Sequence, residues 1–401
     1  MSGAMSQDGA RAEPLGVLYV HYGEDWLRGS ERVLLDLIAG VDRQRFRPVV
    51  WCNSPVLAEE VARLGIPVER GPFAYYSGYG PPGLRPAALA GQIREGRRLI
   101  RRHRIGLVHV NSAAPAQWMI PACWLSRRPC LVHLHAPYLK RPRYTALLHH
   151  ANKVVGVSRA VIGPLLADGM PPAAVAVVAN GVDPRRLEGG DRRGLRRTLG
   201  IPPTARVCAL VGALVAFKRH DLAIAAMKEI AAGGGDLWCL FVGEGPLRAS
   251  LEQAAGGLPI RFLGACSDVG AILRDACDFI ILPSDNEAFG LVILEAASQG
   301  LPCIGTDSGG VPEVIEDGRS GLLVAKGDAP ALAGAMRRLA DDPALCASLG
   351  EGARRLAATR GVEPMIEGIE RCYEALIGAH KAPPLRLRPL ASLAGLGGGR
   401  R

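Results

Sequence analysis

Short runs that are apolar at nearly every position recur along this chain. Each is followed by a turn and a longer stretch with helical spacing. Such runs predict strands buried on both faces, as in parallel sheets covered by helices, whereas a half-exposed antiparallel strand would alternate. In the first half they fall at residues 15–20, 47–53, 66–69, 107–110, 130–135, 153–158 and 175–178. In the second half they fall at 207–212, 237–243, 260–264, 279–282 and 321–324. Helices are predicted after Ser30, at 57–64, at 88–103 and after Ser158, then after Asp221, at 268–275, 290–300, 328–339, 343–359 and 363–379. Ser30 and Ser158 have the side chain to cap a first turn, and Gly300 with Pro302 closes the helix that Gly290 opens. The chain reads as two similar β/α series in tandem, without an internal repeat.

Composition adds limits. At 401 residues the chain accommodates two domains of ordinary size. No apolar run approaches the ~18 residues that span a bilayer, and residues 1–14 are polar, unlike a secretory signal. The ten cysteines form no CxxC pair, and Cys208, Cys239 and Cys303 fall inside apolar runs as small buried hydrophobes. A reducing cytoplasm fits.

The formal charge of +10 is uneven: residues 1–180 hold 22 Lys/Arg and 12 Asp/Glu, and residues 181–401 hold 26 of each. An anionic partner for the first half is expected. Arg94, Arg97, Arg98, Arg101, Arg102 and Arg104 read as one basic side of a helix, suited to solvent, to anionic lipid or to a phosphorylated acceptor. No basic–aromatic pattern points to nucleic acid. Residues 71–83, with three tyrosines, four glycines and three prolines, read as a loop over a cleft or as a surface excursion.

The chemistry concentrates at residues 283–325. Glu287 precedes a helix opened by Gly290, and Glu295 lies inside that helix. A helix N-terminus offers N–H groups and partial positive charge to a phosphate, and carboxylates accept hydrogen bonds from sugar hydroxyls. The stretch reads as a sugar-phosphate site at the C-terminal edge of a parallel sheet. Upstream, Gly29 sits in a glycine turn after the first strand, Gly212 ends a strand ahead of Lys218 and Arg219, and His135, with His109 as the alternative position, stands where a strand end would line the cleft.

Glu287-x7-Glu295 with Phe289-Gly290-Leu291 between, then Gly309-Gly310-Val311-Pro312-Glu313 and Gly321-Leu322-Leu323-Val324, resembles the family-4 retaining glycosyltransferases of the GT-B fold. Asn180-Gly181-Val182-Asp183 resembles that family's turn at the domain junction. The resemblance implies an α/β chain of two Rossmann-like domains facing across a cleft. Residues 15–183 would form an acceptor domain and 184–362 a nucleotide-sugar domain. Residues 363–380 would form a helix crossing back to the first domain, with disordered ends at 1–14 and 381–401.

The same resemblance implies the chemistry. Glu287, His135 and Lys218 would act on the sugar and diphosphate. Glu295, Phe289, Gly290, Leu291, Gly29, Arg219 and Gly212 would hold the donor, a UDP-sugar before a GDP-sugar. No cofactor and no metal is expected. The acceptor would be lipid-linked or phosphorylated, in cell-envelope polysaccharide or glycolipid synthesis, with peripheral contact to an anionic membrane. Three departures stand out: Arg28 and Arg219 where a glycine is usual, and Ala213 where an arginine normally shares the diphosphate with the lysine. The alternatives are an epimerase of the same fold, a non-catalytic binding subunit and a transferase acting on a soluble metabolite.

Overall fold

The computed structural model describes residues 13–27, 29–73, 85–188 and 194–379. Arg28, most of the tyrosine-rich loop and the two expected disordered ends, apart from Glu13 and Pro14, lie outside them. The first sheet holds β1 (Leu15–His21), β2 (Phe46–Cys52), β3 (Val68–Arg70), β4 (Ile105–Asn111), β5 (Cys130–Leu134), β6 (Lys153–Gly156) and β7 (Val175–Val177). The second holds β8 (Arg206–Val211), β9 (Leu237–Val242), β10 (Ile260–Gly264), β11 (Phe279–Leu282), β12 (Cys303–Thr306) and β13 (Gly321–Val324).

Every pairing between these strands is parallel, in the orders β3-β2-β1-β4-β5-β6-β7 and β10-β9-β8-β11-β12-β13. Helices α1 (Gly29–Gly40), α2 (Pro55–Arg63), α3 (Pro86–Arg102), α4 (Ala116–Ser126), α5 (Lys140–Thr145) and α6 (Arg159–Ala167) accompany the first sheet. The second has α7 (Leu195–Thr198), α8 (His220–Ala232), α9 (Arg248–Ala254), α10 (Val269–Ala276), α11 (Leu291–Ser298), α12 (Ala329–Asp341) and α13 (Pro343–Ala358). The last helix, α14 (Val362–Ala379), lies on the first sheet's side. Its Tyr373 hydroxyl meets His109 Nδ1 at 2.6 Å, and its Glu370 carboxylate accepts the Asp42 N–H at 2.8 Å.

The unbroken apolar runs become these strands because helices cover both faces, so neither face needs polar residues. Val17 to Val20 and Phe279 to Leu282 are buried throughout, and Cys208, Cys239 and Cys303 pack among them as free thiols. Besides the short helices α5, α7 and α9, two elements that line the cores escaped the pattern. Helix α4 is buried nearly all round, so it carries no polar stripe. Strand β12 is four residues long and contains a glycine, which reads as loop.

The basic side of α3 is also different from expectation. Arg98 pairs with Glu95 at 2.6 Å and Arg102 with Glu69 at 3.2 Å, while Arg97 and Arg101 turn to a cavity beside α4. A helix advances 100° per residue, so consecutive arginines cannot share one face.

Each sheet reverses its strand order once, between β1 and β4 and between β8 and β11. Ligands in such sheets bind outside the carboxyl ends of the strands at that reversal. The first sheet brings His21 and Asn111 there in register, and the second brings the loops after Val211 and Leu282.

Three histidines, His109, His133 and His220, are buried in these cores, and His135 is half-buried just past a strand end. Burial pushes His109 down to about 3, His220 down to about 4, and His133 and His135 well below the ordinary range; neighbouring His135, Lys218, His133 and His21 add to it. The folded protein keeps them neutral, while the unfolded chain binds protons as pH falls through the usual histidine value. Stability is therefore full above about pH 6.5 and is lost below it, by roughly 1 kcal/mol per histidine between pH 6.5 and 5.5. Urea unfolding at both pH values should show a loss of about 3–4 kcal/mol. Unchanged stability at pH 5.5 would contradict neutral burial.

Candidate active site

The site is built around the loop joining β11 to α11. Gly290 has φ +87°, and a Cβ there would lie 2.7 Å from Ile293 Cδ1, so only glycine makes this entry to the helix. Behind the loop, Gly310 N–H donates to Glu287 O at 2.8 Å. A Cβ at Gly309 would stand 2.3 Å from Glu287 O, and one at Gly310 would stand 2.1 Å from Ala288 O. The double glycine thus lets one backbone rest directly on another. Ser308 Oγ and Thr306 Oγ1 donate to Asp285 O and Ser284 O, at 2.7 and 2.6 Å.

Lys218 ends a short 3-10 turn after β8. Its stem lies over Gly212, where a Cβ would be 3.3 Å from Lys218 Cε. Lys218 Nζ donates to Glu287 Oε2 at 2.5 Å, and both side chains are largely buried. Arg219 takes a left-handed conformation, and its guanidinium is engaged by Asp221 at 3.0 Å and Asp285 at 2.9 Å. The carboxylates hold it strongly protonated. Gly243 and Gly245 press on this loop: Cβ atoms there would lie 2.1 Å from Gly212 O and 2.5 Å from Leu214 O.

The first domain meets this loop from across the cleft. Ser158 caps α6 and its hydroxyl donates to Ala288 O at 2.6 Å. Glu313 accepts the N–H groups of Arg159 and Ala160 at 3.2 and 3.3 Å, completing the cap of α6 from the second domain. A Cβ on Gly29, at the start of α1, would lie 3.1 Å from Leu291 Cδ1. Two predicted donor residues from opposite domains are thus neighbours.

Phe289 is buried, leaving its backbone rather than its ring for any ligand. Glu295 is one turn beyond Leu291 in α11. Withdrawal from water pushes its carboxyl above the usual range; Arg32 and Arg186 pull it down and Asp36 pushes it up.

His135 Nε2 meets Asn111 Oδ1 at 2.7 Å. A carbonyl oxygen can only accept, so Nε2 carries the proton and Nδ1 keeps a lone pair. Asn111 Nδ2 in turn meets Ser30 O at 3.2 Å and His21 Nδ1 at 2.9 Å. His21 Nε2 meets Glu31 Oε1 at 2.8 Å. Burial pushes the Glu31 carboxyl up, but the hydrogen bond and charge of His21, with the Ser30 hydroxyl, hold it at about 2. His109, the alternative, lies inside the core against Tyr373 and is not at the strand end. Among the described residues no group of three or more His, Cys, Asp or Glu could hold a metal ion.

Two family profiles match. Glycosyltransferase Family 4 covers residues 27–186, and Glycosyl transferases group 1 covers residues 191–356. The chain belongs to the family-4 glycosyltransferases. A D-inositol 3-phosphate glycosyltransferase of Saccharomonospora viridis is 34% identical over 230 residues, 54% of this chain and 53% of the relative. An N-acetyl-alpha-D-glucosaminyl L-malate synthase of Bacillus anthracis is 32% identical over 211 residues, 52% of this chain and 55% of the relative. The chain thus spans about half the length of the curated relatives it matches. Among solved structures, the Anabaena HepE protein in complex with UDP and glucose superposes with a TM-score of 0.76 at 21% identity, covering 90% of this chain and all of that one. A Rickettsia africae glycosyltransferase gives 0.77 at 20% identity over 91% and 99%. These likenesses establish the GT-B fold.

In this family-4 glycosyltransferase the predicted residues of the second domain come together at one loop, with Gly29 opposite. His21, Glu31 and Asn111 escaped the sequence reading. His21 and Asn111 become neighbours through the β1–β4 register, and the only local signal was that each ends an apolar run.

The Glu295 carboxylate is costly to keep charged in the folded state, so its ionised form lowers stability above the ordinary carboxyl range. Below that range both states are protonated and the cost vanishes. Glu295→Gln should therefore stabilise the ligand-free protein by about 0.5–1 kcal/mol at pH 7, with no gain near pH 4. Urea midpoints at equal slope measure this. A loss at pH 7 would show that Arg32 and Arg186 outweigh burial.

Proposed function

We propose that this family-4 glycosyltransferase moves a sugar from a nucleotide-sugar donor, a UDP-sugar before a GDP-sugar, to an acceptor with retention of anomeric configuration. The observation that carries the reading is the Lys218–Glu287 pair, 2.5 Å apart, beside the N-terminus of α11. The HepE structures with UDP and glucose, and with UDP-glucose, support UDP as the nucleotide.

On this reading the donor lies in the cleft, mostly on the second domain. Its diphosphate takes the place of Glu287 beside Lys218. Lys218 and the N–H groups of Phe289, Gly290 and Leu291 neutralise the charge that grows as the nucleotide leaves. Glu287 then accepts hydrogen bonds from sugar hydroxyls, and Glu295 accepts them from the ribose. Neutral His135 offers Nδ1 to a further hydroxyl. Gly29 and Gly212 leave room for backbone and lysine to approach. The leaving phosphate takes the proton of the acceptor, so no protein base is assigned, and neither metal nor cofactor enters the scheme.

The acceptor is lipid-linked or phosphorylated, in cell-envelope polysaccharide or glycolipid synthesis at the cytoplasmic face of a membrane. The basic first half supports this. No described helix is long and apolar enough to cross a membrane; on this reading the contact is peripheral. A second reading, donor binding without transfer, is favoured by Ala213 and by the engagement of Arg219 with Asp221 and Asp285.

A thermal-shift panel of UDP, GDP and ADP separates these readings. UDP at a hundredfold over its dissociation constant should stabilise the protein by about 2.7 kcal/mol. Lys218→Ala should lose most of that shift, since one cation of a diphosphate site is gone. No shift with any nucleotide would sink the donor site. A UDP shift without release of sugar from UDP-sugars across a panel of acceptors would select the second reading.

A further inference from the structure

At the far end of the first sheet from the cleft, the C-terminal ends of α3 and α4 flank an open cavity of about 410 Å³, in which Arg101, Arg104, Leu125 and Arg128 are exposed, Arg97 is half-buried and Ile100 is buried. Both helices precede parallel strands, so the cavity sits at the sheet's amino edge. The length of β4, roughly 20 Å, separates it from Asn111 in the cleft. Gly96 allows the two helices to meet: a Cβ there would lie 2.9 Å from Met119 Sδ. Ile100 and Leu125 give the cavity an apolar side, and Arg97, Arg101, Arg104 and Arg128 line the rest.

None of these four arginines forms an ion pair or a side-chain hydrogen bond with a described residue, and Arg97 Nε is buried without an acceptor. Their neighbours Arg98 and Arg102 are both paired. Residues 96–167 carry 12 Lys/Arg and not one Asp or Glu, and the carboxylates nearest on α3's side, Glu95 and Glu69, are engaged by Arg98 and Arg102. The negative ends of two helices account for a basic residue apiece. They do not account for four around one cavity, nor for a buried N–H left open. Arg104 and Arg127 adopt left-handed conformations after the helix ends, with φ 49° and 51°, positions where glycine is the usual choice.

We propose that this cavity binds a phosphate ester: guanidinium forks take the phosphate oxygens, and Ile100 and Leu125 take a short carbon stem. The ester is either a soluble metabolite or the headgroup of an anionic lipid. The site is independent of the donor reading.

The test titrates the full chain with glycerol 3-phosphate, and separately with phosphatidylglycerol or phosphatidylcholine vesicles. Arg101→Gln/Arg128→Gln is compared with Arg98→Gln/Arg102→Gln, which removes the same charge from paired arginines. The cavity variant should lose affinity about tenfold and the paired variant less than twofold, the scale of losing charge-assisted forks. Loss in the glycerol 3-phosphate arm identifies a soluble ester; loss confined to phosphatidylglycerol identifies the headgroup. Arg101→Lys/Arg128→Lys, which keeps the charge without the fork, should lose an intermediate amount and guards against a folding defect. Equal losses in the two charge-matched variants, or no binding of either probe by the unmodified protein, would overturn the proposal. Stabilisation by UDP should be the same in the cavity variant as in the unmodified protein, so the two sites fail or stand separately.

Discussion

The carbonyls of Glu287 and Ala288 tie the candidate site to both domains. Gly310 N–H donates to the first and Ser158 Oγ to the second, so the loop that presents the Glu287 side chain is fixed from its own domain and from the other one. A buried hydrogen bond contributes about 0.5–1.5 kcal/mol net, too little alone to fix two domains. Here it is joined by Glu313, which caps the helix that Ser158 begins. The domain contact and the geometry of the candidate site are consequently one arrangement. Whatever shifts α6 also shifts the peptide on which Glu287 stands.

On the other side of the cleft, a buried polar string gives His135 its direction. It runs from Glu31 through His21 and Asn111 to His135, with the His133 ring tilted against His135 and the His109 ring edge-on to His133. Glu31 stays ionised at one end because His21 and Ser30 hydrogen-bond its carboxylate, while the imidazoles of His135, His133 and His109 stay neutral, since an unpaired charge would be expensive there. His133 has no partner on either nitrogen among the described residues. It therefore acts as a polar wedge in the core that sharpens the acid sensitivity of the fold without serving the cleft directly. His135 differs from it only by standing past the strand end, where the ring reaches Asn111.

The fold was legible because both sheets are parallel and covered. A run such as Phe279 to Leu282 has one physical explanation, and the glycines at 212, 290, 309 and 310 mark where backbones must turn or touch. The second-domain half of the candidate site was legible for the same reason: Glu287, Phe289, Gly290, Leu291 and Glu295 lie close together in one loop and helix. The first-domain half was not. His21, Glu31 and Asn111 are up to ninety positions apart and meet only through strand register. The basic helix shows the opposite failure. Six arginines close in sequence suggested one face, yet their partners Glu69 and Glu95 divide them, and no composition count carries that information.

The pairing between two adjacent loops gives Ala213 its context. Lys218 and Arg219 follow each other on one loop; Glu287 and Asp285 are two apart on the other, and Phe217 O accepts the Asp285 N–H at 2.8 Å. Arg219, with two carboxylates and a left-handed backbone, has nothing to gain by leaving. Lys218 has one carboxylate, and Glu287 has one cation. In a partly desolvated pair a dianionic ligand interacts with the lysine more strongly than a single carboxylate does, because Coulomb energies grow as water is excluded. An exchange at Lys218 would leave the Arg219–Asp285 contact intact and the loop in place. On the proposed reading the two cations would divide the work: Arg219, paired with Asp285, would keep the loops in register, and Lys218 would change partners.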